Sequence, residues 1–190
     1  MENFEITVKV NTSKEKLNDY LLNNGFKIVD KYDCYDRYMI NKDLDISNMN
    51  ELDIIKNCIL VRDLPNIKKC LTFKKKEYDS KGNIIHQEKV DCIVEDIDKA
   101  LKFMELINYR VLFEIYDKLT VYSNGKIEIS SQFVNDKYLY IEMEDTSLHT
   151  PSHNYNNLDD MIKDFDSIGI DYDKSDYFVS KAKIILKEVR

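Results

Sequence analysis

Residues 4–10 alternate without a break. Phe4, Ile6, Val8 and Val10 fall on one side, and Glu5, Thr7 and Lys9 on the other. Side chains of a strand point to opposite faces in turn, so this segment predicts a strand with one apolar and one charged face. The same period recurs along the chain, separated by short turn signals. The longest apolar runs, Cys58 to Val61 and Tyr138 to Ile141, hold four residues each. A membrane-spanning helix needs roughly 20. Hydrophobic residues make up 43%, enough for a sizeable core, while Gly 4 and Pro 2 exclude loop-dominated and collagen-like folds.

The strand pattern is interrupted by a few helical stretches. Asn11-Thr12-Ser13 offers caps for a helix from about Lys14 to Asn24, stopped by Gly25. Residues 26–40 read as two strands in succession, and 49–56 as a weak helix or loop. Cys58 to Asp63 and Lys69 to Tyr78 predict strands around a turn near Pro65-Asn66. Residues 79–83 predict a hairpin turn into a strand from Ile84 to Cys92. Ile97 to Asn108 predicts a second helix. Arg110 to Tyr122, Lys126 to Ser131 and Tyr138 to Glu144 predict strands. Leu158 to Ile168 and Asp176 to Lys187 predict helices. About eight hairpin-connected strands with a few helices define an antiparallel α+β protein, a single domain over 1–190. Eight antiparallel strands commonly remove their edges by closing into a β-barrel.

Charge narrows the function. Lys and Arg number 28 against 35 Asp and Glu, a net charge of −7. That argues against a general nucleic-acid or membrane-surface binder, both of which need a basic face. The first ten residues lack the basic start and apolar core of a secretion signal, so a cytoplasmic location is expected. The cysteines at 34, 58, 70 and 92 form no CxxC pair and only three histidines accompany them. The expectation is reduced, buried thiols rather than a zinc site.

The polar faces of the strands carry the functional question. Glu5, Thr7 and Lys9 lie on the first. Arg62 lies on another, then Thr72, Lys74 and Lys76. His86 and Glu88 follow the hairpin, and the last strand carries Tyr138, Tyr140, Glu142 and Glu144. If such faces meet water, they need no function. If they line a barrel interior, a mixture of lysines and glutamates is costly unless it holds something. Basic groups suit phosphate oxygens, and paired carboxylates suit Mg2+ or Mn2+. Alternation alone does not choose between these.

The order of the motifs resembles the CYTH superfamily, the triphosphate tunnel metalloenzymes, over roughly residues 2–180. Its opening E-x-E-x-K strand is matched by Glu5-Ile6-Thr7-Val8-Lys9, and its helix-ending Gly-Phe by Gly25-Phe26. Asp33-Cys34-Tyr35-Asp36 resembles D-x-Y-[FY]-D. Ile59-Leu60-Val61-Arg62 resembles L-R-x-R, and Leu71-Thr72-Phe73-Lys74 resembles L-T-x-K. His86-Gln87-Glu88 stands at R-x-E, Tyr116-Asp117-Lys118 at K-x-R, and Ile129-Ser130 at a strand ending in Asp. Tyr140-Ile141-Glu142-Met143-Glu144 stands at F-x-E-x-E, and Ser175-Asp176-Tyr177 at a late S-[DY]-Y.

This resemblance implies an eight-stranded antiparallel tunnel with helices outside and a metal-complexed triphosphate within. It implies that Lys9, Arg62, Lys74, Lys118 and His86 bind phosphate. It implies that Glu5, Glu88, Glu142 and Glu144 hold Mg2+ or Mn2+, with Glu5, Lys9, Glu142 and Glu144 at the reaction centre. The partner is then a small triphosphate or polyphosphate, not nucleic acid or membrane. The departures weaken the match: Thr7, Leu60, Tyr116, His86 and Ser130 replace charged residues of the motifs. Three readings follow. The first is a metal-dependent triphosphatase. The second is a degenerate tunnel that binds a nucleotide or polyphosphate without turnover. The third is a class IV adenylate cyclase.

Overall fold

A computed structural model describes residues 4–78, 84–144, 149–151, 155 and 157–190, with backbone alone at 76–78 and 84–87. The strands are β1 (Glu5–Lys9), β2 (Lys27–Asn41), β3 (Ile59–Leu64), β4 (Lys68–Tyr78), β5 (Ile84–Ile93), β6 (Tyr109–Ser123), β7 (Glu128–Val134) and β8 (Tyr138–Glu144). The helices are α1 (Lys14–Asn23), α2 (Glu51–Lys56), α3 (Ile97–Leu106), α4 (Leu158–Ser167) and α5 (Lys181–Val189). The hydrogen-bonded order is β1-β8-β7-β6-β2-β3-β4-β5. Among the described residues no ladder joins β5 to β1, so the antiparallel eight-stranded sheet is not closed by hydrogen bonds.

Two sequence expectations change. The segment expected as two strands over 26–40 forms one strand of 15 residues, Lys27–Asn41. Nothing in Lys27–Asn41 forces a turn, since the segment holds neither Gly nor Pro. The last helix begins at Lys181, not Asp176, with the Ser180 hydroxyl accepting from the Lys183 amide. The residues before it are extended, because their backbone groups are taken by β1. The predicted hairpin turn at 79–83 lies outside the described residues.

By its contacts the chain divides into two compact units, Met1–Tyr32 with Asp117–Val179 and Asp33–Tyr116 with Ser180–Arg190. The long strands β2 and β6 each contribute to both.

In the first unit, one face of the sheet carries Ile6, Val8, Leu139, Ile141, Met143, Ile129 and Tyr122. These pack against Leu17 and Leu21 of α1 and Met161 and Phe165 of α4. Ser13 caps α1 by accepting from the Lys16 amide, and Asn157 caps α4 by accepting from the Asp160 amide. After α4, Gly169 turns the chain at φ +78, a left-handed conformation that favours glycine. A Cβ there would stand 2.6 Å from the hydroxyl of Tyr20, which donates to the Ile168 carbonyl at 3.0 Å. Residues 171–179 then run along the outer edge of β1. The Thr7 amide donates to the Tyr177 carbonyl at 3.0 Å, and the Val179 amide to the Thr7 carbonyl at 2.9 Å. This segment covers an edge that would otherwise present unpaired backbone groups.

In the second unit, Met39 and Val61 pack against Ile97, Ala100 and Met104 of α3. Asp96 caps α3 by accepting from the Lys99 amide at 3.0 Å. Asn66, at φ 64, turns β3 into β4 where the sequence places Pro65-Asn66. The opposite face of this sheet is partly polar. No helix among the described residues is long and apolar enough to cross a membrane.

Candidate functional site

Antiparallel partners share a face, so the register fixes which side chains converge. In the first unit Glu5 pairs with Glu144, Thr7 with Glu142, and Lys9 with Tyr140. On β7, Ser130 stands opposite Glu142 and Gln132 opposite Tyr140. Asp117, which is buried, joins the same face through Val134 and Tyr138. This face is polar and mostly acidic. At its centre the Thr7 hydroxyl stands 3.5 Å from both a Glu5 oxygen and a Glu142 oxygen. A hydroxyl has one proton, so it donates to one carboxylate at a time. It thus sits between two like charges where a third carboxylate would add repulsion. Glu144 is exposed at the strand end. The Lys9 ammonium lies 5.6 Å from the centre of the Tyr138 ring, a cation–π distance.

The polar face of the second unit is cationic. Asp36 pairs with Arg62, Tyr38 with Leu60, Leu60 with Thr72, and Thr72 with Asp91. Lys74 lies two residues beyond Thr72 on the same face. Arg62 is not left open to a ligand. Its Nε and Nη2 donate to the two oxygens of Asp36 at 2.6 and 2.5 Å, a bidentate pair. The two side chains are 19% and 9% exposed. Burial disfavours the Arg62 charge, but the hydrogen bonds and charge of Asp36 outweigh it and hold the guanidinium well above its ordinary pKa. Cys34 lies 3.6 Å from the same carboxylate.

A second acidic hub lies alongside. Asp91 accepts from the Thr72 hydroxyl and the Lys68 ammonium, each at 2.8 Å, with Lys89 at 3.3 Å. Desolvation raises its pKa, yet the bonds from Lys68 and Thr72 and the Lys89 charge prevail. They hold the carboxyl well below the usual range. Tyr38 stacks on Phe113 with ring centres 4.3 Å apart, and burial pushes its phenol far above the ordinary value.

Comparison with known proteins rests on structure alone: no family model and no curated protein matches the sequence. The PH1819 protein of Pyrococcus horikoshii is similar at TM-score 0.67 and 14% identity, over 98% of this chain and 99% of that one. A candidate adenylate cyclase of Vibrio parahaemolyticus is similar at 0.60 and 11%, over 97% of each chain. Another, from Bacillus halodurans, is similar at 0.53 and 13%, over 97% of this chain and 98% of that one. The chain shares the fold of these proteins over nearly its whole length.

The expected CYTH residues separate on this fold. Glu5, Lys9, Glu142 and Glu144 share the polar face of the first unit. Lys118 does not. It lies opposite Phe133, on the apolar face, and its ammonium holds Asp136 at 2.6 Å. Its neighbour Asp117 takes the polar face instead. Arg62 and Lys74 share the polar face of the second unit, but Arg62 is committed to Asp36. Glu88 pairs with Lys75 and so lies on the other face from Lys74. It is 62% exposed and stands 3.7 Å from the Lys75 ammonium. The side chain of His86 lies outside the described residues. Sequence reading missed the roles of Asp36, Asp91 and Asp117. Asp36 was visible as a motif residue, but no local pattern announces a partner 26 positions away.

Among the described residues, no three His, Cys, Asp or Glu side chains converge closely enough to form an all-protein metal cage. Glu5 and Glu142, on either side of Thr7, remain a two-carboxylate set. Mg2+ is commonly held that way, with water and substrate phosphates completing its shell. The donor chemistry of the two carboxylates therefore fits a hydrated divalent cation.

Proposed function

We propose that the protein binds a triphosphate or polyphosphate complexed with Mg2+ or Mn2+ and hydrolyses a phosphoanhydride bond. The observation that carries the reading is the pair Glu5 and Glu142 with the Thr7 hydroxyl between them. Those two carboxylates take the cation. Lys9, on the same face, takes phosphate oxygens as a point charge, without the fork that an arginine would offer. A bound cation supplies Lewis-acid neutralisation of the phosphoryl oxygens. The remaining work of the chain is positioning and charge stabilisation, as phosphoryl transfer generally requires.

A second reading is a binding protein without turnover. The Arg62–Asp36 pair favours it, because it withholds the one arginine expected at the phosphates. Adenylate cyclisation is a third, supported by the named neighbours only. The test is phosphate release from tripolyphosphate, ATP and thiamine triphosphate with Mg2+ or Mn2+, alongside Glu142→Ala and an assay for cyclic AMP. Metal-dependent release that disappears in the variant supports hydrolysis. Thermal stabilisation by the triphosphates without release supports the second reading. Turnover unaltered by Glu142→Ala would sink the metal assignment.

A further inference from the structure

In the second unit, β5 ends the strand order, and among the described residues no strand pairs with its outer side. Its side chains are exposed on both faces of the sheet. Val90 is 59% and Ile93 69% exposed, and Glu88, Lys89 and Cys92 are exposed as well. An edge of this kind is a template for a further strand. The ladder with β4 fixes which backbone groups it offers. The Val94 amide donates to the Lys69 carbonyl at 2.9 Å, so Val94 turns its backbone groups toward β4. The register runs unbroken from Cys70 opposite Ile93 to Glu77 opposite His86. Alternation therefore turns the backbone of Cys92, Val90 and Glu88 toward β4, and leaves the amides and carbonyls of Ile93, Asp91 and Lys89 pointing outward. Glu88, Val90 and Cys92 share a face with Lys75, Phe73 and Leu71, while Lys89 and Asp91 share the other with Lys74 and Thr72.

We propose that β5 pairs with β5 of a second copy of this chain, antiparallel about a two-fold axis through Val90. Such an axis stands normal to the sheet and sets one residue opposite itself. Among centres from Glu88 to Ile93, those at Glu88, Lys89 and Asp91 put like charges directly opposite, which is destabilising. A Cys92 centre sets Asp91 against Ile93, and an Ile93 centre sets Asp91 against Glu95. The Val90 centre sets valine against valine. The exposed Phe73 flanks each, so one face gains an apolar row of four side chains. On the other face, Lys89 of each copy stands opposite Asp91 of the other. That places a carboxylate beside a lysine whose β4 neighbour is Lys74. The same register makes Lys89 and Asp91, whose backbone groups point outward, the hydrogen-bonded pair. Charge, apolar surface and backbone direction agree on this one pairing.

Sedimentation of the full chain over a concentration series tests it, with thermal melts to verify folding. Lys89→Pro removes an outward amide and leaves the β4 ladder intact. It should weaken self-association about tenfold or more. The register is read separately by Val90→Cys combined with Cys92→Ser under mild oxidation. In a non-hydrogen-bonded pair the facing Cα atoms are about 4.5 Å apart, within disulfide range, so this variant should form covalent dimers. Wild type should not, because its exposed Cys92 faces Glu88. If Lys89→Pro fails to fold, the cross-link decides alone. A wild type that stays monomeric at every concentration overturns the proposal and leaves the edge to a strand of a different protein. A dimer that ignores a folded Lys89→Pro also overturns it, since the contact then lies elsewhere. Cross-linking through Cys92 in wild type as fast as through position 90 overturns the register.

Discussion

Replacing Asp36 by Ala isolates what the structure says about Arg62. The pair is bidentate, at 2.6 and 2.5 Å, and mostly buried. Removing one partner of a buried pair leaves a stranded charge and costs about 3–5 kcal/mol. Arg62 keeps 19% of its side-chain surface, so water relieves part of this and the lower end, ~3 kcal/mol, applies. For a chain of 190 residues each kcal/mol moves the melting temperature by about 2–4 °C. Asp36→Ala should therefore melt about 6–12 °C lower at pH 7. The double variant Asp36→Leu with Arg62→Met removes both charges and should recover most of that loss. The same melts report on binding. With Asp36 gone, the freed guanidinium should enlarge the stabilisation given by tripolyphosphate. A melting point for Asp36→Ala within about 2 °C of wild type would refute the buried pair. A ligand-induced shift that shrinks would show that Arg62 already meets phosphate in the native protein.

Three further outcomes follow from the same geometry. Asp91 has a depressed folded pKa, so its stabilisation is present above the unfolded carboxyl pKa and is lost as pH falls through the folded one. Asp91→Asn should destabilise at pH 7, and the gap to wild type should close in melts taken toward pH 2. Cys58 is buried with its thiol pushed to about 12, whereas Cys92 is exposed. Iodoacetamide at pH 8 should label Cys92 first and Cys58 only on unfolding, as read by peptide mass spectrometry; equal labelling rates would contradict the burial. Gly169→Ala should lower stability by at least about 1 kcal/mol in denaturant titration, since φ +78 strains an alanine and its Cβ meets the Tyr20 hydroxyl. A neutral result would mean that the turn after α4 relaxes freely.

Period-two alternation determined much of this protein by itself. It set the strand segments, the two-faced character of β1 and β8, and the grouping of Glu5, Thr7 and Lys9 on one side. It did so because side-chain direction along a strand follows from backbone geometry alone. Local capping likewise placed α1, with Ser13 before it and Gly25 after it. Even a one-residue shift, however, moves a side chain to the opposite face. That is why Lys118, aligned by motif with a phosphate-binding arginine, turns out on the apolar face while Asp117 takes the polar one. It is also why Glu88 lies on the other side of the sheet from Lys74. The course of 171–179 along β1 was hidden for a different reason: it depends on hydrogen bonds to Thr7 and Lys9, more than 160 residues earlier in the sequence. Asp36 gave no sign of capturing Arg62, because the pairing of β2 with β3 creates that contact. The sequence determined which side chains share a strand face; only the tertiary register, through contacts distant in sequence, decided which charges neutralise one another and which remain to meet a ligand.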